Sequence, residues 1–315
     1  MNEDKRLEET LQSSFLGPLL TLDGITDVSY NGRSVFYKTS LEGRKKSAIE
    51  ARDEEVGAFL RQIANLSERQ FSYSDPILDV SFGIYRLSAV FHSISRIDNL
   101  KCYSFSLRIA SAIPILLNDP GFFPGDSKPL LLKALKEGKS IAIGGQTGAG
   151  KTELQKYLIS QLDPNRRVIV IDNVEELELS RGNGSIDLTS WLVSPSAPYA
   201  TYQDLIRAAL RADPDYLIVA EARGKEMLEC LNSAFSGCPV ITTLHSFDLE
   251  SMPMRMARMA MMGDPNLDME ALLGDIYHHF PLFVYVSKEE ENGKIVRHID
   301  GIGYSDEEGR RVARL

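Results

Sequence analysis

The chain has 315 residues, 43% hydrophobic and 25% charged, which suits two globular domains of ordinary size and excludes a disordered or fibrous protein. Its formal charge of −9 makes the surface as a whole repel nucleic acid and anionic lipid, so direct nucleic-acid binding is not expected beyond a local basic groove. The chain opens MNEDKRLEET, which lacks the apolar core of a signal peptide, and residues 1–16 read as a charged helix. ITDVSYNGRSVFYKTS (25–40) reads as a β-hairpin turning at Asn31-Gly32. Val56, Phe59, Leu60, Ile63 and Leu66 fall at helical spacing within 48–66. Strand-like runs follow at 77–83, 85–92 and 103–110. These elements predict a smaller α+β N-terminal domain over 1–117, and the proline- and glycine-dense stretch 118–127 reads as a linker.

From 128 to 315 the pattern changes. A short helix (130–137) leads into strand SIAIGG (140–145), helix 151–161, strand RVIVID (167–172) and helix 202–212. Strand YLIVAE (216–221), helix 225–235 and strand PVITTLHS (239–246) complete the series. Strands alternating with helices predict an α/β domain, a parallel sheet with helices on both faces. MPMRMARMAMM (252–262) holds six of the nine methionines and reads as a helix packing on that sheet, in preference to a plastic partner surface. Cys102, Cys230 and Cys238 form no C-x2-C pair and are read as reduced and structural. No apolar run approaches the ~18 residues that span a bilayer. The expectation is a cytoplasmic protein, or one held at a membrane by partners.

Gly145-Gln146-Thr147-Gly148-Ala149-Gly150-Lys151-Thr152 fits G-x-x-x-x-G-K-[ST] without mismatch, after an apolar strand and before a helix. Glycines let successive N–H groups turn into one anion nest, and the helix N-terminus adds partial positive charge. Lys151 would reach the β- and γ-phosphates and the Thr152 hydroxyl would ligate Mg²⁺, making ATP and Mg²⁺ the expected ligands. Asp172 and Glu221 each close an otherwise apolar strand, at the sheet edge where open α/β sheets bind ligands. One is expected to hold Mg²⁺ through water and the other to orient the attacking water, with Glu175 and Glu176 adjacent and not separable in role. His245, at the end of another apolar strand, is the candidate γ-phosphate sensor, whereas His278 and His279 read as structural. Arg211, Arg223, Arg86 and Arg108 are candidates to neutralise phosphoryl charge.

Four segments resemble the secretion superfamily ATPases, the traffic ATPases of type II secretion, type IV secretion and type IV pili. GGQTGAGKT (144–152), VIVIDNVEEL (168–177), LRADPDYLIVAEARGKE (210–226) and TTLHS (242–246) look like that family's Walker A, acidic box, Walker B and His box, in its order. ITDVSYNG (25–32) and the segments around Arg86 and Arg108 are similar to its opening hairpin and phosphate-reaching arginine strands. The absence of a four-cysteine zinc insert favours the type IV secretion and tight-adherence branch.

The resemblance implies a RecA-like P-loop ATPase core, a hexameric ring and ATP held between the N- and C-terminal domains. Domain rocking would push inner-membrane platform or secretion-channel partners. It assigns Glu221 as main Walker B acid, with Thr152 as a Mg²⁺ ligand, Asp172 as second carboxylate, and 145–153 with Arg86, Arg108 and Arg223 as the phosphate-binding set. Departures are Gln146, Ala149 and Glu153 in the loop, Asp172-Asn173 in place of Glu-Asp, Ala220 in place of glycine, and Phe247 in place of asparagine. The Asp172-Asn173 change shortens one carboxylate and removes another, which implies slow or regulated hydrolysis. A RecA-like nucleic-acid motor and an ATP-binding scaffold with little turnover are the alternatives.

Overall fold

The computed structural model describes residues 3–110, 119–173, 176–177, 187–194, 199–291, 294–305 and 312–314. The chain divides into two compact units, Met1–Ser111 with Glu290–Ile295, and Ala112–Glu289 with Val296–Leu315.

In the first unit the elements are α1 (Glu3–Gln12), α2 (Gly17–Leu20), β1 (Ile25–Tyr30), β2 (Val35–Thr39), β3 (Lys45–Lys46) and α3 (Asp53–Leu66). They are followed by β4 (Ile77–Phe82), β5 (Tyr85–Val90), β6 (Arg96–Ile97), β7 (Leu100–Lys101) and β8 (Ser104–Ile109). Six strands form an antiparallel sheet in the order β3-β2-β1-β8-β5-β4, and β6–β7 is a small separate hairpin. The hairpin expected at 25–40 is present, with Gly32 at φ 94° and the Asn31 side chain accepting from the Arg33 and Ser34 amides. Burial alternates along β4 and β5 because one face packs on helices and the other meets solvent. On the packed face Leu7 and Leu11 of α1 and Val56, Leu60 and Ile63 of α3 share a core with Leu78, Leu87 and Leu107. Each such aliphatic side chain contributes roughly 1.5–3 kcal/mol by leaving water. Asp53, in the acidic first turn of α3, accepts the Tyr103 amide at 2.8 Å and so ties the helix to the strand side.

The second unit contains α4 (Ser127–Lys136), β9 (Ile141–Gly145), α5 (Lys151–Ser160), β10 (Arg167–Asp172), β11 (Asp187–Leu192) and α6 (Tyr202–Ala209). It continues with β12 (Tyr216–Val219), α7 (Glu226–Phe235), β13 (Val240–Leu244), α8 (Met252–Met261), α9 (Met269–His279), β14 (Leu282–Glu291) up to Glu289, β15 (Lys294–Ser305) from Val296, and β16 (Val312–Arg314). The sheet order is β11-β10-β12-β13-β9-β14-β15-β16, parallel from β11 through β14. Side chains alternate between two cores. Ile141, Ile143, Val168, Val170 and Ile218 pack with α4 and α5, while Ala142, Ile169, Ile171, Leu217 and Val219 pack with α6–α9. This is the parallel sheet with helices on both faces that the alternation predicts. Met252, Met256 and Met259 are buried in the second core, so the methionine-rich segment is a packing helix.

Details depart from the sequence reading. The helix expected over 202–212 ends at Ala209 and tightens into a 3-10 turn, Leu210–Ala212, because Asp213 is left-handed at φ 53° and Pro214 follows. Ahead of α4, Pro120–Phe122 is a 3-10 turn, and Phe122 and Phe123 bury beside Tyr157. The strands expected at 216–221 and 239–246 stop at Val219 and Leu244, so Glu221 and His245 stand just beyond the ladder.

Candidate active site

The phosphate loop is made possible by where β9 ends. β9 is buried along its whole length and delivers Gly145 to the carboxyl edge of the sheet. Gly145 has φ 151°, and a Cβ there would lie 2.4 Å from the Val286 carbonyl of neighbouring β14. Gly150, at φ 106°, is the N-cap of α5, where a Cβ would come within 3.3 Å of Phe122. The loop curls on itself, with the Ala149 amide donating to Gln146 O at 3.2 Å. Lys151, 8% exposed, donates from Nζ to the carbonyls of Gly145 (2.9 Å) and Gln146 (3.0 Å). Thr152 is half-buried in the first turn of α5. Glu153 pairs with the almost fully buried Lys156 at 3.0 Å. Gln155, fully buried, donates to Val219 O at 3.0 Å and so fastens α5 to the sheet beneath the loop.

The strand-end acids are held by backbone pairing that outlasts the strand. After β12 the Ala220 amide donates to Ile171 O and the Ala222 amide to Thr243 O, both at 2.9 Å. The Thr243 hydroxyl donates to Ala220 O at 2.7 Å. Glu221 is thereby held at the sheet edge. Its Oε2 accepts from Arg223 Nη2 at 2.7 Å. His245 Nε2 lies 2.9 Å from Oε1, but the ring N–H is not aimed along that line, so the contact is electrostatic and Oε1 makes no directed hydrogen bond. On the other side of the ring, His245 Nδ1 lies 3.3 Å from Lys151 Nζ. Lysine can only donate, so in this contact Nδ1 accepts and the imidazole proton sits on Nε2, on the Glu221 side of the ring though not aimed at Oε1.

Lys151, His245, Glu221 and Arg223 thus form one continuous polar chain. Burial works to raise the Glu221 pKa, but the Arg223 hydrogen bond and charge, helped by His245 and Lys151, outweigh it and keep the carboxyl ionised below its ordinary value. His245 is pushed below its usual 6.5, first by burial and then by the Lys151 ammonium, against the opposing pull of Glu221. The imidazole is therefore neutral at pH 7.

Asp172 is 3% exposed, and its Oδ1 accepts the Asn173 amide at 2.7 Å. Tyr202, the first residue of α6, places its hydroxyl 3.4 Å from Asn173 Oδ1. Burial drives the phenol's pKa up, and the charge of Asp172 drives it further, with Glu221 adding to the effect and Arg223 opposing it. Tyr202 is therefore a neutral donor within reach of both acids' fields. The sequence predicts only a helix over 202–212; in the structure Tyr202 follows the Thr201–Asp204 capping box, which explains the helix start but not this role. Glu176 is half-buried, Glu175 lies outside the described residues, and Arg211 is exposed.

A cavity of about 620 Å³ opens beside the loop, between Gln146, Thr147, His245, Phe247, Arg255 and Arg258. The two arginines of α8 on its wall were not singled out in the sequence. In the first unit, Arg86 on β5 and Arg108 on β8 are directly opposite in register, and Arg108 is opposite Asp27 on β1.

A glycine-rich loop feeding a helix, with two carboxylates and a histidine at the ends of adjoining parallel strands, defines a P-loop α/β core. The chain belongs to the Type II/IV secretion system protein family, whose model matches residues 91–276, more than half its length. It is 31% identical over 269 residues to an uncharacterized protein of Bacillus anthracis, covering 84% of this chain and 59% of that one. It is 33% identical over 138 residues to the type IV secretion system protein PtlH of Bordetella pertussis, covering 43% of this chain and 40% of that one. The chain therefore spans roughly half the length of these curated relatives. Among solved structures, the Legionella pneumophila ATPase DotB superposes with a TM-score of 0.71 at 19% identity, over 98% of this chain and 81% of that one. At that identity the likeness speaks for the fold alone: a RecA-like core with a smaller α+β unit ahead of it.

Proposed function

We propose that this chain is a Mg²⁺-dependent ATPase acting as a ring-forming motor, a hexamer at the cytoplasmic face of the inner membrane. It would power secretion, pilus assembly or retraction, or conjugative transfer through platform or channel partners. The observation that carries the reading is the chain Lys151–His245–Glu221–Arg223 at the mouth of the phosphate loop. It joins the phosphate-binding cation to an ionised carboxylate through a neutral imidazole.

In this reading Lys151 exchanges the carbonyls of Gly145 and Gln146 for phosphate oxygens, as the backbone of 145–153 cradles them. Thr152 and Glu221, through water, are the residues suited to hold Mg²⁺, which when bound offsets phosphate charge. The glycine cradle and the undirected Glu221 Oε1 fit that assignment. Arg223 keeps Glu221 ionised, so the carboxylate can orient a water for attack. Asp172 is the second carboxylate. His245 reads the γ-phosphate because its Nδ1 loses a donor whenever Lys151 leaves for phosphate. Arg86 and Arg108 supply further positive charge; two like charges directly opposite on a sheet are unfavourable alone and favour an anion between them.

Specific ATP turnover measured against protein concentration tests the ring. Activity per protomer should rise with concentration and then plateau, and a flat profile together with a monomeric mass would contradict shared sites. One observation favours a second reading, an ATP-binding scaffold with little turnover: Asn173 stands next to an Asp172 whose Oδ1 is engaged by its own neighbour's amide. Tight ATP binding without hydrolysis would mark that reading.

A further inference from the structure

Two cations reach the phosphate loop from β14, which pairs with β9, and from β15 next to it, and neither belongs to any loop, Walker or His-box motif. Arg297, half-buried on β15, donates from Nε to the carbonyl of Gly148 at 2.9 Å. Its methylene stem also packs against the loop, since a Cβ on Gly150 would stand 3.5 Å from Arg297 Cδ. Lys288, on β14, brings its ammonium within 3.9 Å of where a Gly148 Cβ would be. One arginine thus spans the stretch from Gly148 to Gly150, where the backbone is left-handed at φ 74° and φ 106°.

The support behind Arg297 is rigid. β14 runs parallel to β9 in the register Val286↔Gly145, so its backbone abuts the residue from which the loop departs. On β15, Ile299 and Ile302 are buried in the core that also holds Leu154 and Leu158 of α5. His298 Nε2 meets Ser287 Oγ at 3.1 Å, which links the two strands next to Arg297.

A peptide unit is planar, so fixing its carbonyl fixes its N–H on the opposite side. With the Gly148 carbonyl held by Arg297, the amide of Ala149 must face away from β15, and it is found on Gln146 O within the curl of the loop. That is the side on which an anion nest needs its N–H groups. Glycine has no side chain to limit rotation of this peptide, so Arg297 restrains its carbonyl from outside the loop as Gln146 holds its N–H from inside.

We infer that Arg297 is a positioning residue for nucleotide binding: it pre-sets the Gly148–Ala149 peptide so that the Ala149 amide is ready for phosphate, with Lys288 adding positive potential at the same spot. The inference rests on the ATPase reading above and extends it to a strand that carries none of the family's motifs.

The test compares wild type, Arg297→Ala, Arg297→Lys and Lys151→Ala in Mg²⁺-ATP turnover, in equilibrium binding of a fluorescent ATP analogue, and in thermal melting with and without ATP. Arg297→Ala should raise KM and weaken binding about tenfold, the scale of one charged hydrogen bond, while kcat changes less than about threefold. Its melting temperature without nucleotide should match wild type, and the upward shift produced by ATP should shrink. Arg297→Lys keeps a donor and should recover most of the affinity. Unchanged KM and binding in Arg297→Ala beside an active wild type would overturn the inference and leave the ATPase reading standing. A drop in nucleotide-free melting that accounts for the whole loss, without rescue by lysine, would also overturn it in favour of a packing role. No binding or turnover by wild type would instead overturn the ATPase reading itself.

Discussion

The two sheets carry their charged residues in different places. In the second unit β9, β12 and β13 are buried on both faces, so a charged group has no place along them and stands beyond the strand end. His245, Glu221 and Arg223 follow that rule one, two and four residues past their strands, and Lys151 does so at the start of the helix that follows β9. In the first unit β5 and β8 keep one face open, and Arg86 and Arg108 stand on that face, within the ladder, one residue from its end and opposite each other. The parallel sheet concentrates charge at one edge against a helix N-terminus, whereas the antiparallel sheet spreads it across a surface. The edge therefore holds groups whose ionisation is set by close neighbours, and the open face holds an arginine pair with Asp27 opposite Arg108.

That contrast is sharpened first at Glu221. Glu221→Gln keeps the shape and removes the charge, and turnover should fall about 100-fold or more while ATP affinity stays within a few-fold, read by steady-state kinetics beside equilibrium binding. Retention of more than a tenth of the turnover would place the essential carboxylate elsewhere, with Asp172 first in line.

On the open face, Arg86→Ala or Arg108→Ala should lower turnover about tenfold. Arg86→Ala should leave the unliganded fold as stable as wild type or stabilise it slightly, because it removes a like-charge opposition worth roughly 0.2–1 kcal/mol, whereas Arg108→Ala also gives up the opposition to Asp27 and should come out near neutral. Marked destabilisation in melting without nucleotide would show that these arginines serve the sheet instead.

The smallest effect expected is in the pH profile. His245 has its folded-state pKa depressed below the ordinary 6.5, so the unfolded chain takes up this proton first as pH falls. The stability it contributes is complete above 6.5 and is lost as pH drops through the folded value. Turnover should show an acid limb below pH 6.5, since a protonated ring would set a second cation against Lys151. An acid limb centred above 6.5 would contradict a neutral His245 in the resting site.

The sequence exposed the elements in which one physical demand dominates. Buried parallel strands read as apolar runs, and the loop glycines, Lys151 and the strand-end acids stand out by their spacing and by their place at the ends of those runs. Less legible was β11, Asp187–Leu192, an edge strand whose residues are half-buried or exposed and whose polar alternation gives no apolar run. The hairpin β14–β15 was missed because its outer half, rich in Lys and Glu, reads as solvated surface. With it went Arg297, whose contact joins residues 149 positions apart. Tyr202, Arg255 and Arg258 were hidden in the same way, as ordinary helix residues until the fold brings the first beside Asn173 and the other two to the cavity beside the loop.

The most direct measurement is Mg²⁺-dependent ATP hydrolysis by wild type beside Lys151→Ala, with nucleotide binding followed in both. The account predicts turnover and binding in wild type and loss of both in the variant, with the fold retained. Equal turnover in the two proteins would contradict the assignment of the phosphate loop as the catalytic site.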